Sequence, residues 1–229
     1  FYEKMIETQV LPTTSQPSPY AFETAIRKIH EQGDIALIIT ISSKLSGTWQ
    51  SANIAAAETG GEVYIVDSLN VAVGEKAIVE YALRMKDAGT DIHTIVDTLN
   101  REKENLRVIA LLDTLEYLQK GGRISKTVAI AGSLLSIKPV VSVVDGEVAL
   151  LGKARQGNNF LIQQIQKDGI DFSRPFFLGY TGLSDALLQK YISDSAEIWK
   201  EHVDHLPIGT IGGAIGTHVG PGAIAVAFF

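Results

Sequence analysis

An apolar run from Ile35 to Ile41 constrains the fold of this chain more than any other segment. It lacks regular polar alternation, which is typical of a strand covered on both faces of a parallel sheet. Helical spacing of apolar residues precedes it at 20–30, a helix is predicted after it at about 49–57, and the next predicted strand covers 63–66. This alternation predicts an N-terminal α/β domain with a mainly parallel sheet and right-handed crossovers.

The second half of the chain has a different pattern. Apolar segments at 140–144 and 148–151 flank Asp145-Gly146, a strong signal for a hairpin turn. Further strands are predicted at 108–112, 176–180, 197–199 and 223–229, with short helices between them. The sequence therefore predicts two domains, a Rossmann-like α/β domain at 1–106 and an α+β domain with antiparallel strands at 107–229.

Composition excludes several classes of protein. The chain has no cysteine, which rules out disulfides, thiolate zinc sites and cysteine nucleophiles and favours a reducing, cytoplasmic location. Its net charge of −6 and the lack of a basic stripe argue against nucleic-acid binding. No apolar run reaches transmembrane length, so any membrane contact is expected to be transient. The five histidines lack metal-ligand spacing, and neither a metal nor a cofactor is predicted.

Two turns rich in serine and threonine, Thr13–Pro19 and Ser42–Thr48, supply closely spaced hydroxyls and backbone N–H groups. Such neutral donors suit an anion, either a carboxylate or a phosphate. The second turn follows the predicted buried strand, and ligands of open α/β sheets gather outside the carboxyl ends of strands. Both turns can instead be simple helix entries, because the N–H groups that cap a helix are the same ones that bind an anion.

Glycine-rich segments mark two further candidate sites. The segment 208–222 contains six glycines and is predicted to be a loop that presents Thr217 and His218. Arg123 follows Gly121-Gly122, where it can serve either as an ordinary helix C-terminal cation or as an anion-facing side chain. Arg155, after the hairpin, has the same two interpretations.

Two other functions are open to these residues. Ser46, His218 and Asp67 can in principle form the catalytic triad of an esterase, although no local motif supports such a triad. Ser46 and His218 could also serve a phosphate-ester hydrolase. A regulatory module whose ligand tunes a partner protein is the third alternative.

Four segments taken together resemble the DegV family, which includes the fatty-acid-binding subunits of bacterial fatty acid kinase. They span nearly the whole chain in the family's order, and they are residues 13–19, 42–48, 121–125 and 215–223. Family members usually begin with a strand carrying a Thr-Asp-Ser motif, which this sequence does not include. We therefore expect that a further strand precedes Phe1 in the protein.

The resemblance implies a carrier of long-chain fatty acids and not a catalyst. It implies that the hydroxyls of Thr14 and Ser46 bind the carboxylate and that His218 completes the site. The acyl chain would enter an apolar tunnel in the second domain, with candidate lining residues in 130–137. A partner kinase with the ATP site would dock near Arg123 and Arg155 and form the acyl phosphate. Neighbouring residues are expected to assist in binding, namely Ser15, Gly47, Thr48 and Thr217.

Overall fold

The computed structural model describes residues 1–8, 10–127, 138–154, 157–202 and 206–229. Within these residues the strands are β1 Ala36–Thr40, β2 Val63–Asp67, β3 Arg107–Leu111, β4 Lys138–Val144, β5 Glu147–Ala154, β6 Phe177–Tyr180, β7 Ile208–Thr210 and β8 Ile224–Phe228. The helices are α1 Tyr2–Thr8, α2 Pro19–Glu31, α3 Thr48–Thr59, α4 Val73–Asp87, α5 Ile92–Glu102, α6 Glu116–Lys120, α7 Gly157–Asp168, α8 Ala186–Asp194, α9 Ala196–Trp199 and α10 Gly213–Val219.

The first sheet consists of β1 and β2 in parallel, with Ala36 opposite Val63 and Thr40 opposite Asp67. This pairing confirms the predicted parallel sheet and places the loops after both strands at one edge. Helices α2 and α3 cover one side of it and pack on β1. The entry to α2 is also as predicted, since the Ser18 hydroxyl accepts the Ala21 N–H.

The second sheet has six strands in the order β5-β4-β3-β8-β6-β7. All its pairs are antiparallel except β6 with β7. The predicted hairpin joins β4 to β5, and both of its turn residues have positive φ, +50° at Asp145 and +82° at Gly146. Central strand β8 is buried along its whole length, which explains its continuous apolar sequence.

The second sheet is covered on both faces. Helix α4 packs on the face that contains Val108, Ala225 and Ala227, whereas α7 and α8 pack on the face that contains Ile109 and Val226. Because α4 also contacts β1, one helix belongs to the cores of both sheets. A domain boundary at 106/107 therefore stays a prediction, and the two sheets pack through a shared layer.

Two local predictions are wrong. Residues 197–199 lie in α9 and not in a strand, because the Trp199 indole donates to the Ser195 hydroxyl one helical turn earlier, at 2.7 Å. The glycine-rich segment is also more regular than the predicted loop, since it contains β7 and α10. Gly213 and Gly216 leave room for the aromatic rings of α1 and the residue before it, and this tertiary packing overrides the low helix propensity of glycine.

A buried carboxylate ties the end of α5 to the segment before β6. Glu102 is 11% exposed and accepts hydrogen bonds from Arg174 Nη1 at 2.6 Å, Asn105 Nδ2 at 3.1 Å and Arg101 Nε at 3.0 Å. These donors, led by Arg174, hold the pKa of Glu102 at about 2. The stabilisation is therefore fully present above the ordinary carboxyl pKa and is lost as pH falls towards about 2.

We expect Glu102→Gln to lower the free energy of unfolding by about 2 kcal/mol near neutral pH, because Arg174 loses its charged partner. Urea unfolding followed by circular dichroism measures the change. The matched control is Glu80→Gln, which removes an exposed pair with Arg84 and should change stability by at most about 0.5 kcal/mol. Equal effects of the two substitutions would contradict the assigned role of Glu102.

Candidate functional site

A cleft of about 460 Å³ lies at the carboxyl ends of β1 and β2, beside α10. The loop before α2, the loop after β1 and the segment after α6 all contribute to its walls. Its polar residues are Thr14, Ser15, Gln16, Ser46, Thr48, Glu75, Arg123 and His218, and its remaining residues are mostly aliphatic. The structure therefore brings together all three residues expected to bind a carboxylate, Thr14, Ser46 and His218.

Thr14 and His218 are joined directly although 204 positions separate them in the sequence. Thr14 Oγ1 lies 2.7 Å from His218 Nε2, which makes a hydrogen bond across the mouth of the cleft. Behind the ring, Nδ1 is buried and has no hydrogen-bond partner among the described residues. A Cβ at Gly121 would overlap this Nδ1, so the Gly121-Gly122 motif provides the space for the imidazole.

The surroundings of His218 favour the neutral form of its imidazole. Burial lowers the pKa of His218, and the nearby Arg123 guanidinium lowers it further. A neutral imidazole donates a single hydrogen bond and adds no formal charge. The mouth of the cleft thus offers hydroxyl and imidazole groups to an anion, with one permanent cation, Arg123, among its lining residues.

The loop that carries Ser46 is fixed by backbone and side-chain bonds from both halves of the chain. Ser42 is fully buried, and its hydroxyl donates to the Gly146 carbonyl at the tip of the β4–β5 hairpin, at 2.7 Å. The Ser42 carbonyl accepts the N–H groups of Leu45 and Ser46, at 3.0 and 3.1 Å. Asp67 accepts the Ser43 N–H at 3.1 Å. Ser46 is therefore presented to the cleft by a rigid turn.

Ser46 stands at the start of α3, whose N-cap is Gly47. Its hydroxyl lies 2.8 Å from Thr48 Oγ1 and accepts the Thr48 N–H at 3.3 Å. Gly47 forms no side-chain cap, and the Gln16 amide packs against it so closely that a Cβ would lie 2.6 Å from Gln16 Nε2. The Thr13–Pro19 turn thus covers the N-terminus of α3, where backbone N–H groups favour an anion.

Arg123 joins the two halves at the edge of the cleft. Its Nε donates to the Leu45 carbonyl at 3.2 Å, and its Nη1 donates to the Gly121 carbonyl at 2.6 Å. Arg123 is half-buried and lines the cleft. Its bond to the Gly121 carbonyl fits the predicted role at the helix C-terminus, whereas the anion-facing role stays a prediction.

A second, apolar cavity of about 60 Å³ lies beside the cleft. Its walls include one face of the second sheet, where Val108, Ala110 and Ala225 lie on adjacent strands. The two cavities share five aliphatic residues at their junction, which are Val71, Leu118, Val148, Ile215 and Val219. A cleft with polar donors therefore adjoins a cavity whose lining is almost wholly aliphatic.

Glu75 is a cleft residue that the sequence analysis missed. It lies in the first turn of α4, directly after the loop that follows β2, and its carboxylate accepts the Ile41 N–H. Burial nevertheless raises the pKa of Glu75 to about 7. Ligands of open α/β sheets gather outside the carboxyl ends of strands, and this rule covers the loop after β2 as well as the loop after β1. It would have indicated Glu75.

The other predicted residues have different outcomes. Ser15 and Thr48 line the cleft, whereas the Thr217 side chain is buried and donates to the Gly213 carbonyl within α10. Thr217 therefore lies outside the cleft, contrary to its prediction as a secondary ligand. Arg155 and the tunnel candidates at 130–137 lie outside the described residues.

The triad of a serine hydrolase is not assembled in the described residues. Asp67 accepts backbone N–H groups from Ser43 and Leu69, and it makes no hydrogen bond to His218. His218 bonds Thr14, while the Ser46 hydroxyl pairs with Thr48. The orienting carboxylate and the base–nucleophile contact required of a triad are both missing from this arrangement.

The described residues contain no group of three or more histidine, aspartate or glutamate side chains placed to hold a metal ion. None of the described helices combines the length and hydrophobicity that crossing a bilayer requires.

The similarity of this chain to known proteins covers its whole length. A family model described as "Uncharacterised protein, DegV family" matches residues 1–229. The chain belongs to the DegV family. A protein of Thermotoga maritima named "Fatty acid-binding protein" is 31% identical to this DegV chain, over 98% of the chain and 79% of the relative.

Solved structures show the same fold. The structure "Fatty Acid Binding of a DegV family Protein from Thermus thermophilus" is 29% identical, with a TM-score of 0.81 over 99% of this chain and 82% of that one. The Fatty Acid Kinase (Fak) B3 protein of Streptococcus pneumoniae, loaded with linoleic acid, is 21% identical, with a TM-score of 0.82 over 99% and 81%. The second likeness shows the shared fold alone. Together with the two sheets, these matches confirm the predicted α/β fold class.

Proposed function

We propose that this DegV protein binds a long-chain fatty acid. Its carboxylate would lie between Thr14, Ser46 and His218, and its acyl chain would pass from the cleft into the inner cavity. The observation that carries the proposal is a donor-rich cleft that shares five aliphatic lining residues with an apolar cavity. The Thermotoga and Thermus relatives, described as binding fatty acids, support the same ligand class.

The expected energetics divide the ligand into two parts. Each buried methylene contributes about 0.8 kcal/mol, so a long acyl chain contributes on the order of 10 kcal/mol before the costs of binding. The chain can therefore supply the affinity, while neutral donors at the mouth fix the position of the carboxylate. Since the inner cavity measures about 60 Å³, we expect its aliphatic walls to separate when a full acyl chain enters.

We further propose that the bound acid is presented to an ATP-dependent kinase. A carboxylate oxygen would attack the γ-phosphorus of ATP, ADP would leave, and an acyl phosphate would form. This step rests on the family resemblance, and the exposure of Thr14 at the mouth supports it because a phosphoryl donor could reach the carboxylate there. Neutral donors suit transfer, since a tight ground-state clamp on the carboxylate would not lower the barrier.

Native mass spectrometry of the protein purified from bacteria tests the ligand. The expected spectrum contains a bound species heavier than the apoprotein by the mass of one fatty acid, released by organic extraction. If the protein carries no fatty acid and also binds none that is added, the ligand proposal is wrong. A serine-directed fluorophosphonate should leave Ser46 unlabelled, and labelling there would favour the hydrolase instead.

A separate assay tests the kinase step. Hydroxylamine trapping should detect acyl phosphate only when the loaded protein, ATP and the fatty acid kinase of the same organism are all present. If the loaded protein forms no acyl phosphate under these conditions, the proposed presentation to a kinase is wrong, while the proposed fatty acid binding is unaffected.

A further inference from the structure

Glu75 places an acidic group in a cleft that is proposed to receive an anion. It lines the same cavity as Thr14, Ser46 and His218. Among the described residues Glu75 forms no ion pair, and the Ile41 N–H donates a hydrogen bond to its carboxylate. An ionised Glu75 would therefore repel a carboxylate that enters the same cleft.

The described charges that line the cleft do not compensate two anions. Among the described lining residues other than Glu75, only Arg123 and His218 can carry positive charge. Arg123 already donates to two backbone carbonyls, and burial keeps His218 neutral. One guanidinium can balance one carboxylate, but a ligand carboxylate beside an ionised Glu75 would leave an uncompensated charge.

The charged groups on the neighbouring elements are engaged elsewhere. Lys103, at the end of α5, donates to the Asp67 carbonyl and to Asn100, both at 2.9 Å. The Asp67 carboxylate accepts the N–H groups of Ser43, in the loop after β1, and Leu69, in the loop after β2. On α4 itself, Lys76 lies over the Phe177 ring, 4.3 Å from its centroid. The remaining nearby cations, Lys44 in the loop after β1 and Arg107 on β3, do not line the cleft.

We propose that Glu75 couples ligand entry to proton uptake, so that a fatty acid carboxylate binds together with one proton carried by Glu75. This inference rests on the proposed function. The protonated side chain would remove the repulsion and could donate a hydrogen bond within the cleft. Burial already raises the pKa of Glu75 to about 7. Above this pH Glu75 is mostly ionised and would take up a proton from solvent when the ligand binds, whereas below it Glu75 is mostly protonated before binding.

Isothermal titration calorimetry with dodecanoate, kept below its micelle concentration, measures the proton uptake of lipid-stripped protein. Titrations at about pH 8 in two buffers of different ionisation enthalpy should give about one proton per bound acid for the wild type. The Kd of the wild type should rise roughly ten-fold per pH unit above about pH 8. In Glu75→Gln, which keeps an acceptor for the Ile41 N–H, uptake should fall to about zero and the Kd should become independent of pH.

Glu80→Gln on the exposed part of the same helix is the matched control and should behave as the wild type. If proton uptake persists in Glu75→Gln, a different group such as His218 carries the proton and the inference is overturned. Wild-type binding without pH dependence overturns it as well, while the proposed function stands. Absence of dodecanoate and longer-acid binding at every pH, in protein shown to be folded by circular dichroism, overturns the proposed function itself.

Discussion

Val148→Trp is expected to abolish tight binding of long-chain fatty acids. Val148 lines both the cleft and the inner cavity, so an indole at this position would obstruct the route that we propose for the acyl chain. Excluding about five methylenes from the inner cavity costs about 4 kcal/mol, which raises Kd roughly a thousand-fold. Short acids, which need the cleft alone, should bind the variant and the wild type with similar weak affinity. Competition with a fluorescent fatty acid measures both chain lengths.

The matched control for this substitution is Glu147→Trp. Glu147 is the exposed neighbour of Val148 on β5, and successive strand residues point to opposite faces of a sheet. An indole at position 147 should leave the proposed route of the acyl chain open, so the affinity for long-chain acids should be unchanged. Wild-type affinity of Val148→Trp for long acids would show that the acyl chain follows another path.

Loss of the two hydroxyls at the mouth should have the next largest effect. Thr14→Ala with Ser46→Ala removes two donors, and a hydrogen bond to a charged group contributes about 1.5–3 kcal/mol. The double variant should therefore bind a long-chain acid at least about a hundred-fold more weakly. Thr14 is exposed and its change leaves the core intact, so the thermal unfolding midpoint should change little.

Thr14→Ser serves as the conservative control for that experiment, since it keeps a hydroxyl beside His218 Nε2. It should retain near wild-type affinity. Unchanged affinity in the double alanine variant would remove both residues from the carboxylate site, whatever the outcome at Val148.

Local sequence signals predicted those parts of the fold that local physics decides. The apolar run at β1, the Ser18-Pro19 helix entry and the Asp145-Gly146 turn each carry their own structural cause, and all three are present. The wrong predictions depended on tertiary contacts. Residues 197–199 are helical, and Trp199 is fully buried against the rings of Phe172 and Phe176.

The site was predictable only in part for the same reason. Thr14 and Ser46 stand out as hydroxyls in turns rich in serine and threonine, and His218 as a histidine in a glycine-rich segment, and the family resemblance assigns all three to one site. No comparable sequence pattern distinguishes Glu75 or the residues that line the inner cavity. Ala110 and Ala225 resemble ordinary strand residues until the pairing of β3 with β8 places them together across more than a hundred positions.

A crystal structure of the protein with a fatty acid brominated at its methyl end tests the account most directly. Anomalous scattering locates the bromine, and the electron density locates the carboxylate. The account predicts the carboxylate within hydrogen-bond distance of Thr14, Ser46 and His218, with the bromine beside Val108 and Ala225. A bromine outside the inner cavity, or a carboxylate remote from Thr14 and His218, would contradict it.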